Sequence, residues 1–249
     1  MALRDNPAFA ELKPYLGMTV APNGVTVGDL NFVVAQTQWS TALFPIAAAN
    51  TLAADVSVNL WQSAQGDTGA GFTTALTRSQ TSWQDSQGRL PANQVFIATS
   101  CAFQLFKRNT ASTTATAQEV PIPSYGAVHA IARNLTWSWQ VGDGIQRNYG
   151  ALSEWGGMAG SWSIPGVNED PGFDINAVLA DPDCRGRRLP LPLVFPPNIS
   201  AKVTVANGSA FAVDTIEPAG PGAVDPLPQG SFLAVRQYLH GYLCTMPVG

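Results

Sequence analysis

The chain has 249 residues, of which 45% are hydrophobic, enough for one large or two small domains with a sizeable core. Only 12% are charged, against roughly 25% in typical soluble domains, and the net charge is −4. That balance argues against a general nucleic-acid-binding surface, while the shortage of charge fits a surface buried by neighbours or one solvated by Ser, Thr, Asn and Gln.

The N-terminus, Met1-Ala2-Leu3-Arg4-Asp5, carries no apolar signal core, and the longest uncharged apolar segment, 42–54, is broken by Pro45 and too short to span a bilayer. A soluble, non-exported chain is expected. Residues 5–16 read as a short helix with Asn6 as cap, Pro7 in the first turn, and Phe9, Leu12 and Leu16 on one face; Pro14 weakens it. Such an arm packs on its own or a neighbouring subunit, or rests as an apolar foot on a membrane surface.

Asn23-Gly24 marks a turn, followed by Val25-Thr26-Val27 and by Leu30, Phe32 and Val34 in alternation. Val56, Val58 and Leu60 alternate again. Residues 65–71 form a Gly-rich loop, and the Thr-rich stretch 73–84 suits an exposed strand. Gly88-Arg89-Leu90-Pro91 then leads into Val95-Phe96-Ile97-Ala98-Thr99 and a strand ending at Phe106. Residues 108–123 are small, polar and Pro-terminated, which reads as a boundary near the midpoint or as an exposed loop of one larger sandwich.

Beyond it, Leu135, Trp137, Trp139 and Val141 alternate with Thr136, Ser138 and Gln140, and Gly142-Asp143-Gly144 is a tight turn. Residues 150–166 read as irregular loop with short strands, and 174–180 as one or two helical turns. Gly186-Arg187-Arg188-Leu189-Pro190 repeats the earlier Gly-Arg-Leu-Pro pattern as a turn. It opens a Pro-rich edge segment, then a strand with Ala201, Val203 and Val205 on one face. Asn207-Gly208 signals a hairpin to 209–213, 217–230 is a Pro/Gly loop, and 231–246 closes the chain as a long strand or pair. Pro91 and Pro190 stand about 100 positions apart, the length of a compact unit of eight strands of about 5–6 residues with short connections.

The Gly-Arg-Leu-Pro turn before Val95-Phe96-Ile97, together with the stretch from Pro192-Leu193-Val194-Phe195-Pro196-Pro197-Asn198 to Val205, resembles the capsid-forming jelly-roll proteins of tailless icosahedral viruses. The nearest impression is of the double jelly-roll major capsid proteins of phages with an internal membrane. The expectation is therefore an all-β, antiparallel double jelly roll of two tandem eight-stranded sandwiches. Residues 1–19 would be an N-terminal helical arm, 20–110 the first jelly roll and 120–249 the second. A single enlarged jelly roll is the alternative.

The resemblance implies a structural virion protein, not an enzyme. It would assemble with itself as trimers into an icosahedral shell, meet minor capsid or vertex proteins, and reach an internal membrane through its arm. No sequence-specific nucleic-acid partner is expected.

Motifs for chemistry are sparse, and no catalytic, cofactor or metal residue is assigned. His129 and His240 lie in no metal-ligand spacing, and Cys101, Cys184 and Cys244 are far apart, as suits buried free thiols. Glu169, Asp170, Asp174, Asp181 and Asp183 form one acidic run, which reads as a solvated loop before a metal site or a hydrolase pair, with Arg185, Arg187 and Arg188 placed to neutralise it. The competing function is a carbohydrate- or receptor-binding β-module such as a spike or fibre head, with Trp155 and Trp162 at loop tips.

Overall fold

The computed structural model describes residues 7–21, 23–31, 33–84, 89–112, 118–122, 125–155, 162–165, 174–177, 186–212 and 227–246. In chain order these form β1 (Val33–Ala47), β2 (Thr51–Leu52), β3 (Val56–Leu60), β4 (Gln94–Arg108), β5 (Glu119–Pro121), α1 (Tyr125–Asn134), β6 (Leu135–Val141) and β7 (Arg147–Ala151). They continue with β8 (Trp162–Pro165), β9 (Asp174–Ala177), β10 (Arg187–Phe195), β11 (Ala201–Asn207), β12 (Phe211–Ala212) and β13 (Phe232–Thr245). Short 3₁₀ helices occupy Pro7–Tyr15, Val27–Asp29, Ala48–Asn50 and Leu152–Trp155.

The strands make an all-β fold of two main antiparallel sheets. The larger runs β10-β4-β13-β1-β2-β12 with β5 attached to β4, the smaller β3-β11-β6-β7, and β8 with β9 forms a separate ribbon. Eight strands obey one rule. β1 pairs with β13, β3 with β11, β4 with β10 and β6 with β7, so the outermost pair comes first and the innermost last. This is one long antiparallel double strand, turned back at the β6–β7 hairpin and rolled so that successive segments fall in alternate sheets. The ladders β13·β4 and β11·β6 close the roll.

Both sheets therefore mix strands from either side of 108–123. The expected division into sandwiches at 20–110 and 120–249 is corrected to one two-sheet unit. The length argument failed because it assumed short strands, whereas β1 and β4 have 15 residues each and β13 has 14. The two Gly-Arg-Leu-Pro stretches are not equivalent either. Leu90 precedes β4, while Arg187-Arg188-Leu189-Pro190 lies inside β10, where a turn was expected. β10 is an edge strand as read, and its ladder to β4 slips between Arg188 and Leu193, where Pro190 and Pro192 have no N–H to donate. Gly186 enters it at φ +62°, where a Cβ would stand 2.1 Å from the Cys101 carbonyl oxygen.

Between the sheets lies the main core. β11 contributes Ala201, Val203 and Val205, β6 Leu135, Trp137 and Trp139, and β13 Leu233, Val235 and Leu239, all as the period of two requires. The aromatic rings interlock around two hubs. Phe195 meets Trp139 at 4.6 Å, Trp83 at 5.0 Å and Trp61 at 5.5 Å, while Trp137 stacks on Tyr149 at 4.3 Å and meets Trp155 edge-on at 5.1 Å. One buried carboxamide threads this core: Trp61 Nε1 donates to Gln237 Oε1 (2.6 Å), and Gln237 Nε2 donates to Cys101 Sγ (3.2 Å).

The outer face of the larger sheet is covered at both ends. At one, Leu12, Val20, Val27 and Leu30 of the N-terminal segment pack on Val95, Ile97 and Cys244. At the other, Phe72 and Leu76 pack on Leu43 and Ala234. Alternate residues of Val95–Ala98 thus serve two different cores, which is why the run is apolar throughout.

Several local readings change. The arm is a 3₁₀ helix in place of the expected helix over 5–16, consistent with Pro14 removing a donor late in the segment; Asn6 and the side chain of Phe9 lie outside the described residues. Val25-Thr26-Val27 makes a single bridge from Thr26 to Thr19 and then a 3₁₀ turn, with the Asp29 carboxylate accepting from the Thr26 N–H (2.9 Å) and hydroxyl (2.7 Å). Residues 73–84 form turns rather than an exposed strand, and Gln80, Thr81 and Trp83 are buried. Residues 174–177 are strand, not helix. Helix α1 stands directly before β6, with Ala127, Val128, Ile131 and Ala132 against the core.

After Asn207 the chain does not form the expected hairpin. It crosses to the other sheet, where β12 pairs with β2. Asn207, fully buried, donates from Nδ2 to the Ala53 (2.7 Å) and Leu52 (3.3 Å) carbonyls. Ser138, expected to face solvent, is buried beneath Gln146, whose amide donates to its hydroxyl.

The described ends of segment 108–123 are tied to the sheet it leaves. Glu119 on β5 accepts from Arg108 Nη1 (3.0 Å) and from Arg236 Nη2, joining β4 and β13; Arg236 Nε also donates to Thr41 Oγ1 on β1 (2.8 Å). The two guanidiniums lie over Phe72 and Phe106, at 5.0 and 5.1 Å.

Two substitutions check this packing. Trp137→Ala should cost about 3–5 kcal/mol in thermal or urea unfolding, and Thr136→Val on the exposed face less than about 0.5 kcal/mol. Equal small shifts would remove Trp137 from the core. Glu119→Gln strands two largely buried guanidiniums and should cost about 3 kcal/mol. A loss under about 1 kcal/mol would show both arginines to be solvated in place.

Candidate functional site

The space between the sheets is filled by side chains, so sites open to a ligand lie at the sandwich mouth, on the sheet faces and at the strand edges. Among the depressions formed by described residues, three bear on function. The first crosses the outer face of the larger sheet between its two covered ends. Ala35, Thr37, Thr99, Ser100 and Gly241 keep it shallow, His240 Nδ1 lies 2.9 Å from Thr37 Oγ1, and the Tyr242 hydroxyl donates to Glu11 (3.2 Å). Its floor is uneven because the β13·β4 register slips between His240 and Gly241. Gly241 is required there: a Cβ would meet the Ile97 carbonyl oxygen at 2.0 Å.

The second depression opens at the mouth of the sandwich, where Gln36, Gln38, Gln94 and Leu243 end the inner face of the larger sheet and Trp83, Arg89 and Leu90 come from the segment before β4. The third is apolar, between the β6–β7 hairpin and edge strand β10, with Val141, Ile145, Pro192 and Val194 in its walls.

The candidates read from the sequence fall elsewhere. Trp155 is buried: its indole N–H donates to the Tyr149 carbonyl (2.8 Å), and the Arg187 guanidinium lies 5.2 Å over its ring. It is core, not a loop-tip platform, and nothing of the Trp162 side chain is described. Of the acidic run, Glu169, Asp170, Asp181 and Asp183 lie outside the described residues, as does Arg185, and Asp174 is placed only as backbone in β9. Arg187 donates to the Glu154 carbonyl (2.7 Å), and Arg188 is exposed. Among the described residues no group of three His, Cys, Asp or Glu side chains is arranged to hold a metal ion, and no described helix is long and apolar enough to cross a membrane.

His129 is exposed on α1, and His240 lies on the outer sheet face. Cys101 and Cys244 are buried free thiols, and burial pushes each from its ordinary 9.0 up to about 12; a hydrogen bond from Gln237 opposes this at Cys101. Cys184 lies outside the described residues. The mouth cleft escaped the sequence reading because its parts come from β1, β4, β13 and an irregular segment. The signal present was the polar end of an otherwise apolar strand face in β1.

Comparison with models of known families, with curated proteins and with solved structures finds no match to this chain.

The buried thiols make a measurable prediction. In the unfolded chain each loses its proton near pH 9, in the folded chain near 12, so the unfolded state is favoured progressively as pH rises between those values. Each thiol should steepen the loss of stability there by up to about 1.4 kcal/mol per pH unit. Urea unfolding at pH 8 to 11 should show a shallower fall for Cys244→Ala than for the wild type. Parallel curves would place Cys244 in contact with water.

Proposed function

We propose that this chain is a structural subunit of an icosahedral viral shell, built on one enlarged jelly roll. The observation that carries the reading is the rolled double strand, β1·β13, β3·β11, β4·β10 and β6·β7, in two facing sheets. Eight antiparallel strands wound in this way are the jelly-roll plan, which viral capsid and lectin domains share. Shared fold is an analogy, since many functions use one fold. What favours assembly over ligand capture as the main role is the surface: Ile145 at the β6–β7 tip is 89% exposed and Leu191 on edge strand β10 is 56% exposed, in a chain with few charges. Apolar side chains presented on a hairpin tip and an edge strand suit burial by a neighbouring copy.

In this reading the partner is the chain itself. The trimer remains the proposed building block, and the virion the proposed location. The arm is used internally, with Leu12 buried on its own sheet, so contact with a membrane forms no part of the proposal.

Sedimentation velocity over a wide range of concentration, with negative-stain microscopy of the same samples, tests it. Trimers or larger closed assemblies are expected, and Ile145→Asp should shift the distribution toward monomer without lowering the melting temperature. A monomer at every concentration would overturn the shell reading and favour the receptor- or glycan-binding head.

A further inference from the structure

The inner face of β1 changes character along its length. Ile46, Phe44 and Ala42 belong to the core, and Ser40, Gln38 and Gln36 continue the same face toward the mouth. There they meet a cleft of about 460 Å³, within the range of about 300–1,000 Å³ usual for small-molecule sites. Gln36, Gln38, Gln84, Gln94 and Arg89 line it, and Trp83 forms one wall.

One buried donor there lacks an acceptor among the described residues. Gln38 is 7% exposed, and its Oε1 accepts from the Ser82 hydroxyl. Trp83 is 2% exposed, and among the described residues nothing accepts from its indole N–H. Buried polar groups without partners are uncommon and call for an explanation, and a bound ligand is one. The described lining holds a single formal charge, the exposed guanidinium of Arg89.

We propose that this cleft binds an acidic monosaccharide. Carboxamides both donate and accept, which matches the hydroxyls of a sugar. The Arg89 fork suits a carboxylate. Pro91 and Leu243, neither of them fully buried, supply apolar contact for the C–H face of a ring. The assignment does not rest on the shell reading, because the cleft is formed within one chain and lies apart from Ile145 and Leu191.

The test uses the full chain labelled with ¹⁵N, with the Trp83 indole signal identified through Trp83→Phe, titrated separately with D-glucuronate, D-glucose and acetate. Glucuronate should move that signal saturably, more tightly than glucose, and acetate should not. Arg89→Gln, at an exposed side chain, should weaken glucuronate by about tenfold or more, the loss expected for a charged hydrogen bond, and leave glucose within about twofold. Gln38→Leu should weaken both sugars. Absence of a saturable shift with glucuronate overturns the proposal, as does an unchanged affinity in Arg89→Gln. Acetate binding as tightly as glucuronate would also overturn it, by showing a bare carboxylate site. Oligomeric state, read on the same samples, reports separately on the shell.

Discussion

The ladders on either side of β13 hold the molecule together. The last strand in sequence lies between β1 and β4, pairing from Phe232 to Cys244 with one and from Phe232 to Thr245 with the other. These partners are separated by most of the chain, so their loop-closure entropy must be met before the pairing stabilises anything, and slow, cooperative folding follows from the topology. The alternation of β13 also sets the layers. Leu233, Val235 and Leu239 face the inter-sheet core, while Ala234 and Cys244 face the two outer clusters.

Centrality raises the stakes for the polar groups that β13 carries. Gln237 sits in an aromatic interior, and both ends of its carboxamide are used, by Trp61 and by Cys101. Arg236, on the opposite face, is held by Glu119 and Thr41, with the carboxylate shared by Arg108. A buried ion cluster is weak evidence of net stability, since removing charges from water is costly. Its clearer consequence is registration: it ties β1, β4, β5 and β13 at one level and closes the loop between β5 and β4. That loop's small polar composition resembled an interdomain linker. Composition reports solvation, and Glu119, the residue that anchors the segment, is a single letter within it.

What could be read in advance was whatever depended on period two with one buried face. β3 and β11 show the expected alternation because one sheet face meets the core and the other carries polar residues, while β6 and β13 keep an apolar inner face although Ser138, Ala234 and Cys244 on their other faces are buried too. Readings failed where long-range pairing decided the outcome. Asn207-Gly208 has the chemistry of a hairpin turn, yet the strand after it finds a better partner in β2, and Asn207 serves the β2–β3 corner. Helix α1 carries Ala127, Val128, Ile131 and Ala132 at helical spacing, but the Pro-rich approach and the strong strand beginning at Leu135 mask a ten-residue element in the sequence. Trp155 looked like a loop-tip aromatic because its neighbourhood is glycine-rich, and only the fold shows Tyr149, Trp137 and Arg187 enclosing it. The repeat failed for a related reason: similar turns recur wherever a strand must begin, so similarity of turns need not mean duplication of units.

A sandwich whose interior is filled by its own rings leaves only its rim, its outer faces and its edges open to a ligand. Inside, Phe195 and Trp137 each collect several aromatic neighbours, and ring against ring fixes the sheet spacing. At the rim the same strands must change residue type, because the sheets end before the chain does. β1 makes this change on one face, from Ile46 and Phe44 through Ser40 to Gln38 and Gln36. The hairpin β6–β7 makes the opposite choice and ends on Ile145, in open solvent. An amide-lined mouth solvates itself or a polar ligand, whereas an aliphatic tip gains only by leaving water. The two ends therefore suit different partners, and neither needs the core to change in order to meet them.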